Sequence, residues 1–226
     1  MRLVVFLFLS AFLLLPRHAD AYCGVPEIRA TGEYFQRDLV FVGTVTSGHY
    51  SLAGGMYRLS VQRIFRGPIQ KEFTVYTWDD DVRFPLKTGA TYLLFASKDK
   101  RGFEIDSCGN SNLLSHATKT IRELQMLSQA APFGVIEGWV VAETDGIDVS
   151  GVRVTVKGKA GVYSAVTDKD GWFHFRAPVG EYKVDFSSGE YYLNAADDFR
   201  YDPEGFELHA GETASLQVVS VRHLHQ

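Results

Sequence analysis

The sequence predicts a mainly β protein, with a small five-stranded barrel and a flanking helix followed by a seven-stranded β-sandwich. Three observations carry this. Segments rich in β-branched and aromatic residues recur from residue 39 onward, separated by turns containing Gly, Pro or Lys. Residues 114–127 switch to the three-and-four spacing of a helix. Hydrophobic residues make up 46% of the chain and aromatics 13%, which is ample for packed cores and argues against disorder.

The N-terminus reads as a signal peptide over residues 1–21. Arg2 is followed by an apolar run over residues 3–15 broken only by Ser10, then by Pro16, Arg17 and His18. Ala19 and Ala21 occupy the two positions a signal peptidase inspects, so cleavage is expected between Ala21 and Tyr22. A spanning helix needs roughly 18 or more apolar residues, and this run is shorter. The expected product is secreted, extracellular or periplasmic, with no membrane span in the mature chain.

Residues 22–129 form the first expected domain. Its strands are placed at 39–46, 56–65, 72–77, 91–97 and 103–107, with turns at Gly54-Gly55, Gly67-Pro68, Lys87-Thr88-Gly89 and Lys100-Arg101-Gly102. Five strands of this length suit a small barrel, which leaves no sheet edge exposed. A short helix is expected within 27–37. In the segment 114–127, Leu114, Ala117, Ile121, Leu124 and Leu127 make one apolar face, with Ser111 or Asn112 as N-cap. That face should lie against the barrel.

Residues 128–134 read as a linker, and residues 134–226 as the second domain. Val152, Val154 and Val156 alternate with Arg153, Thr155 and Lys157, the pattern of a strand buried on one face. Phe173 and Phe175, then Tyr182, Val184 and Phe186, repeat it. About seven short strands in about 90 residues favour a sandwich.

Two cysteines, Cys23 and Cys108, lie in the exported part, where one disulfide is the simplest outcome. Closing a loop of roughly 85 residues is worth about 4–5 kcal/mol on the chain-entropy account. Two cysteines cannot build a thiolate zinc site, so no metal is expected. A formal charge of −4 without a basic run argues against nucleic acid as a partner.

Two family resemblances follow from ordered blocks of residues. Cys23, Leu39-Val40-Phe41-Val42-Gly43, Val61-Gln62-Arg63-Ile64-Phe65-Arg66-Gly67, Gly89-Ala90-Thr91-Tyr92-Leu93-Leu94-Phe95-Ala96 and Cys108-Gly109-Asn110-Ser111 resemble the netrin-like domain of tissue inhibitors of metalloproteinases. That resemblance implies an OB-fold barrel and a Cys23–Cys108 bridge. Gly138-Trp139-Val140, the block from Gly151 to Val156, that from Thr167 to Phe175 and that from Pro178 to Val184 resemble the carboxypeptidase regulatory-like domain, a transthyretin-like sandwich.

The inhibitor resemblance implies a candidate edge at Tyr22, Cys23 and Gly24. In that family the mature chain begins with cysteine, whose terminal amine and carbonyl chelate the target's zinc. Here Tyr22 precedes Cys23, and Val25 stands where the family has a second cysteine. Other motifs read as structure. Asp168-Lys169-Asp170-Gly171 lacks the later ligands of a calcium loop and fits a tight turn. Asp79-Asp80-Asp81 reads as a solvated loop tip. His223 and His225 have no third ligand in register, and His49, His116, His174 and His209 read as surface or edge residues. Tyr191, Tyr192 and Tyr201, with Phe199, are candidate partner-binding aromatics. Nucleotide, hydrolase-elbow and zincin motifs are absent, so neither an enzyme nor a cofactor is expected. The functional expectation is an exported non-catalytic interaction protein that recognises an extracellular protein or a glycan. The alternative is a metallopeptidase inhibitor.

Overall fold

Two strands explain why the first half closes on itself. β1 (Leu39–Ser51) and β4 (Thr91–Lys98) carry the unbroken apolar runs Leu39-Val40-Phe41-Val42 and Tyr92-Leu93-Leu94-Phe95-Ala96. A strand without alternation is covered on both faces, and these two are. Their inward set, including Phe41 and Leu94, packs with Leu59, Phe73, Val75 and Ile105 inside a barrel. Their outward set, Val40, Val42, Leu93 and Phe95, packs beneath α1 (Ala30–Gln36) and α2 (Thr118–Met126) through Ala30 and Leu124. Each large apolar side chain so buried contributes about 1.5–3 kcal/mol.

The computed structural model describes residues 29–51, 54–77, 84–106, 108–142, 148–186 and 205–220. β2 (Gly54–Arg66), β3 (Glu72–Thr77) and β5 (Phe103–Ile105) complete the barrel in the order β1-β2-β3-β5-β4, closed by an antiparallel β1–β4 ladder. β6 (Asn112–Leu113) pairs onto β4. Register shifts along β1 let it bend enough to pair with both β2 and β4.

The second half stacks two sheets. β7 (Phe133–Ala142) lies between β10 (Trp172–Pro178) and β13 (Thr213–Ser220), antiparallel to the first and parallel to the second. The facing sheet has the order β12-β11-β8-β9, from Phe206–Leu208, Gly180–Phe186, Arg153–Gly158 and Gly161–Val166. Ile136, Val154, Val156, Phe173, Tyr182 and Leu216 fill the space between them. The chain is therefore mainly β, a closed five-stranded barrel and then a sandwich.

Local details depart from expectation where a distant group decides. Gly54 and Gly55 begin β2 instead of forming a turn. Any side chain at Gly55 would run into the Tyr57 ring and Thr77, so the residue is small for packing. Neither Ser111 nor Asn112 caps α2. The Ser111 hydroxyl accepts the Phe95 amide at 2.9 Å, while Asn112 Oδ1 accepts the next amide, Leu113. A 3-10 turn over Leu114–His116 intervenes, and Ala117 sits at the cap.

Candidate functional site

α1 is a poor helix by itself. It has seven residues, Ala-Thr-Gly-Glu-Tyr-Phe-Gln, and its N-cap Arg29 makes no side-chain capping bond. Two turns with an internal glycine do not hold in isolation. Tertiary packing holds them, and it comes from three sides. Tyr34 donates to the Phe65 carbonyl at 3.1 Å, fixing α1 to β2. The other two sides make the candidate site.

On one side α1 carries a buried charge cluster. Glu33 is fully buried and Arg37 is 7% exposed. Arg37 Nε donates to Glu33 Oε1 at 2.8 Å, its Nη1 to Ser97 Oγ at 2.8 Å and its Nη2 to Asp106 Oδ2 at 2.9 Å. Glu33 Oε2 accepts both the backbone N–H and the side-chain amide of Asn110, at 2.6 and 2.8 Å. Asp106 Oδ1 accepts the Cys108 amide at 2.8 Å. A Cβ at Gly109 would strike the Glu33 carboxylate, so only glycine lets the loop approach this closely. The block Cys108-Gly109-Asn110-Ser111 is thus fixed from below by α1 and from behind by β4. Cys108 takes part in a disulfide.

On the other side α1 meets the sandwich. Arg29 Nε lies 2.9 Å from Glu137 Oε1 of β7, and the Glu137 side chain is 9% exposed. A carboxylate this sheltered needs a cation, because an unpaired buried charge costs several kcal/mol. The Phe35 ring stacks on His209 at 4.3 Å and 8°. His209 is held in turn by Glu212, whose Oε2 accepts its backbone N–H at 2.7 Å and lies 2.9 Å from Nδ1.

The sandwich has a separate surface feature, a cleft of about 490 Å³ at Lys157, Lys159, Glu181, Tyr182, Lys183 and Glu207. Burial, then the neighbouring Tyr163, pushes the Tyr182 phenol above its ordinary pKa. Its O–H donates to the Pro178 carbonyl at 2.8 Å, so this tyrosine braces the cleft wall. On the opposite sheet Trp139 and Trp172 are cross-strand neighbours, half-buried, with centroids 4.3 Å apart.

Of the residues singled out from sequence, Cys108 lies on the cluster just described. Ala21, Tyr22, Cys23 and Gly24 lie outside the described residues, as do Asp79-Asp80-Asp81, Tyr191, Tyr192, Phe199, Tyr201, His223 and His225. Asp168 organises its turn. Its Oδ1 accepts the amides of Asp170 and Trp172, both at 2.9 Å. His209 is the expected edge residue, with its side chain 36% exposed, and one face of its ring stacks on Phe35. Sequence patterning assigns no role to Glu33, Arg37, Glu137 or Glu212. The i,i+4 spacing of Glu33 and Arg37 is a readable pairing signal; Glu137 and His209 have none, because their partners arrive from the other half.

The cluster positions the loop above it. Arg37 binds the side chains of Glu33, Ser97 and Asp106, and Glu33 and Asp106 in turn hold the backbone amides of Asn110 and Cys108. Among the described residues no group of three or more His, Cys, Asp or Glu could hold a metal ion. No helix among them is long and apolar enough to cross a membrane.

Residues 135–221 match the carboxypeptidase regulatory-like domain. No curated protein matches the chain. Among solved structures the chain is similar to the Bacillus anthracis TIE protein, at 14% identity and a TM-score of 0.29, covering 82% of this chain and 30% of that one. It is similar also to BcpA, the major pilin subunit of Bacillus cereus, at 11% identity and a TM-score of 0.30, covering 84% and 61%. A third is the p204 HINb domain, at 15% identity and a TM-score of 0.24, covering 82% and 96%. The chain thus spans under a third of the first and about three-fifths of the second. Likenesses this distant carry no functional argument.

Proposed function

We propose that this is an exported, non-catalytic interaction protein whose barrel, residues 22–129, presents a recognition edge at the Cys108 loop, with the sandwich, residues 134–226, as a supporting module. The observation that carries the reading is the commitment of Glu33, Arg37 and Asp106 to holding one surface loop in a single geometry. A preorganised loop loses little entropy when a partner docks. The partner class is an extracellular protein or a glycan, with no cofactor. In this reading the bridge joins Cys108 to Cys23, and residues 1–21 are removed on export. The test is a pull-down from the native extracellular fraction with the immobilised protein, run beside a glycan array. One retained protein or glycan, lost with Glu33→Ala, is the expected result. Nothing retained and no array signal overturns the reading.

A second reading, a metallopeptidase inhibitor acting through Tyr22, Cys23 and Gly24, is favoured by one observation. Cys108 is disulfide-bonded and its loop is locked to α1, which is what anchoring an early cysteine requires. Titration against a panel of zinc peptidases tests it, with N-terminal sequencing alongside. A mature chain beginning at Tyr22 removes chelation by a terminal cysteine.

A further inference from the structure

We propose that the sandwich is a clamp on α1, and that through α1 it sets the order of the Cys108 loop in the barrel. The proposal deepens the recognition reading, on which its functional meaning rests, by naming what governs that edge.

α1 touches both the loop and the sandwich. Its Glu33 holds Asn110 and its Arg37 holds Asp106, which in turn holds the Cys108 amide. Its Arg29 cap and its Phe35 are held by Glu137 and His209 of the sandwich. The helix is too short and too weakly capped to keep its shape unaided. Releasing α1 from the sandwich therefore loosens its hold on the loop.

The sandwich grips firmly enough to act in this way. Glu137 sits on β7 and His209 just after β12, two separate elements, so α1 is caught at both of its ends. Glu212, with its side chain 1% exposed, fixes the His209 ring beneath Phe35. Backbone bonds tie the junction further. The Val179 amide donates to the Pro132 carbonyl at 3.2 Å, and the Gly211 amide to the Phe133 carbonyl at 3.0 Å. A Cβ at Gly211 would press on Ala130 and Leu127, which leaves the helical side and the sandwich no room to slide.

Hydrogen exchange at the Asn110 amide reads the coupling directly, because that N–H donates to Glu33. In the full chain, Glu137→Ala is expected to speed its exchange about tenfold, by local opening and not by global unfolding. The Val75 amide in β3 keeps its wild-type rate, and Glu181→Ala on the exposed cleft changes neither. An Asn110 rate unchanged in Glu137→Ala overturns the clamp, as does a Val75 rate that rises in parallel. Should Glu137→Ala not fold, Arg29→Gln and Phe35→Leu each weaken one of the two grips and are read by the same two amides. No partner enters this measurement, so a failed pull-down and a failed clamp remain separate results.

Discussion

The barrel and the sandwich each gather acidic and basic side chains, and they use them in opposite ways. Glu33, Arg37 and Asp106 converge beneath the Cys108 loop, with Glu33 and Arg37 buried and Asp106 half-buried at its rim. Lys157, Lys159, Lys183, Glu181 and Glu207 ring an open cleft, with Lys183 directly opposite Lys157 across the strands. The Lys159–Glu181 pair spans 3.4 Å with side chains 92% and 75% exposed. Buried charges fix a shape because an unmatched one is costly. Exposed charges are screened and exchange partners at little cost. The first set is a scaffold for a surface, whereas the second is surface.

Four changes sharpen that contrast. The largest effect is expected from Glu33→Ala, which removes the more deeply buried of the two carboxylates that hold Arg37 and the acceptor for Asn110. It should cost about 3–5 kcal/mol in urea denaturation, and a loss under about 1 kcal/mol would mean that water replaces the carboxylate. Next is Asp168→Ala, which leaves two turn amides without their acceptor at an exposed site. About 1 kcal/mol is expected, read from the thermal midpoint. Glu181→Ala, despite its ion pair, should move stability by less than about 0.5 kcal/mol.

The smallest effect is a pH dependence. The Asp99 carboxyl is held below its ordinary pKa, first by the Arg101 backbone N–H and also by that of Gly102. A depressed folded-state pKa stabilises the turn above the unfolded carboxylate value, near ~3.9. The benefit is lost as pH falls through the lower folded value. An NMR titration should show the Arg101 and Gly102 amides shifting only below the ordinary aspartate range.

Legibility in the sequence follows the range of the forces involved. The apolar runs at Leu39–Val42 and Tyr92–Ala96 and the alternation at Val152–Val156 are local patterns, and the strands they predict are present. The helix after residue 114 is readable from its spacing, but its cap is not, because β4 recruits the Ser111 hydroxyl. The site is less legible still. Cys108 is visible as a staple, and the i,i+4 charges Glu33 and Arg37 lie in plain view. Their meaning depends on Asn110 and Asp106, some seventy residues away, which no local pattern reports. Glu137 reads only as one more polar residue in a strand. Its ion-pair partner, Arg29, comes from the other half of the chain.

The parallel pairing of β7 with β13 has a mechanical consequence. β7 begins at Phe133, and β13 runs beside it in the same direction, from Thr213 opposite Val135 to Ser220 opposite Ala142. A pull between the barrel and the far end of β13 would drag the two strands lengthwise past each other. Their hydrogen bonds would then be loaded together and not peeled one by one. Such a shear arrangement resists tension along that axis, and single-molecule stretching should find a high rupture force there.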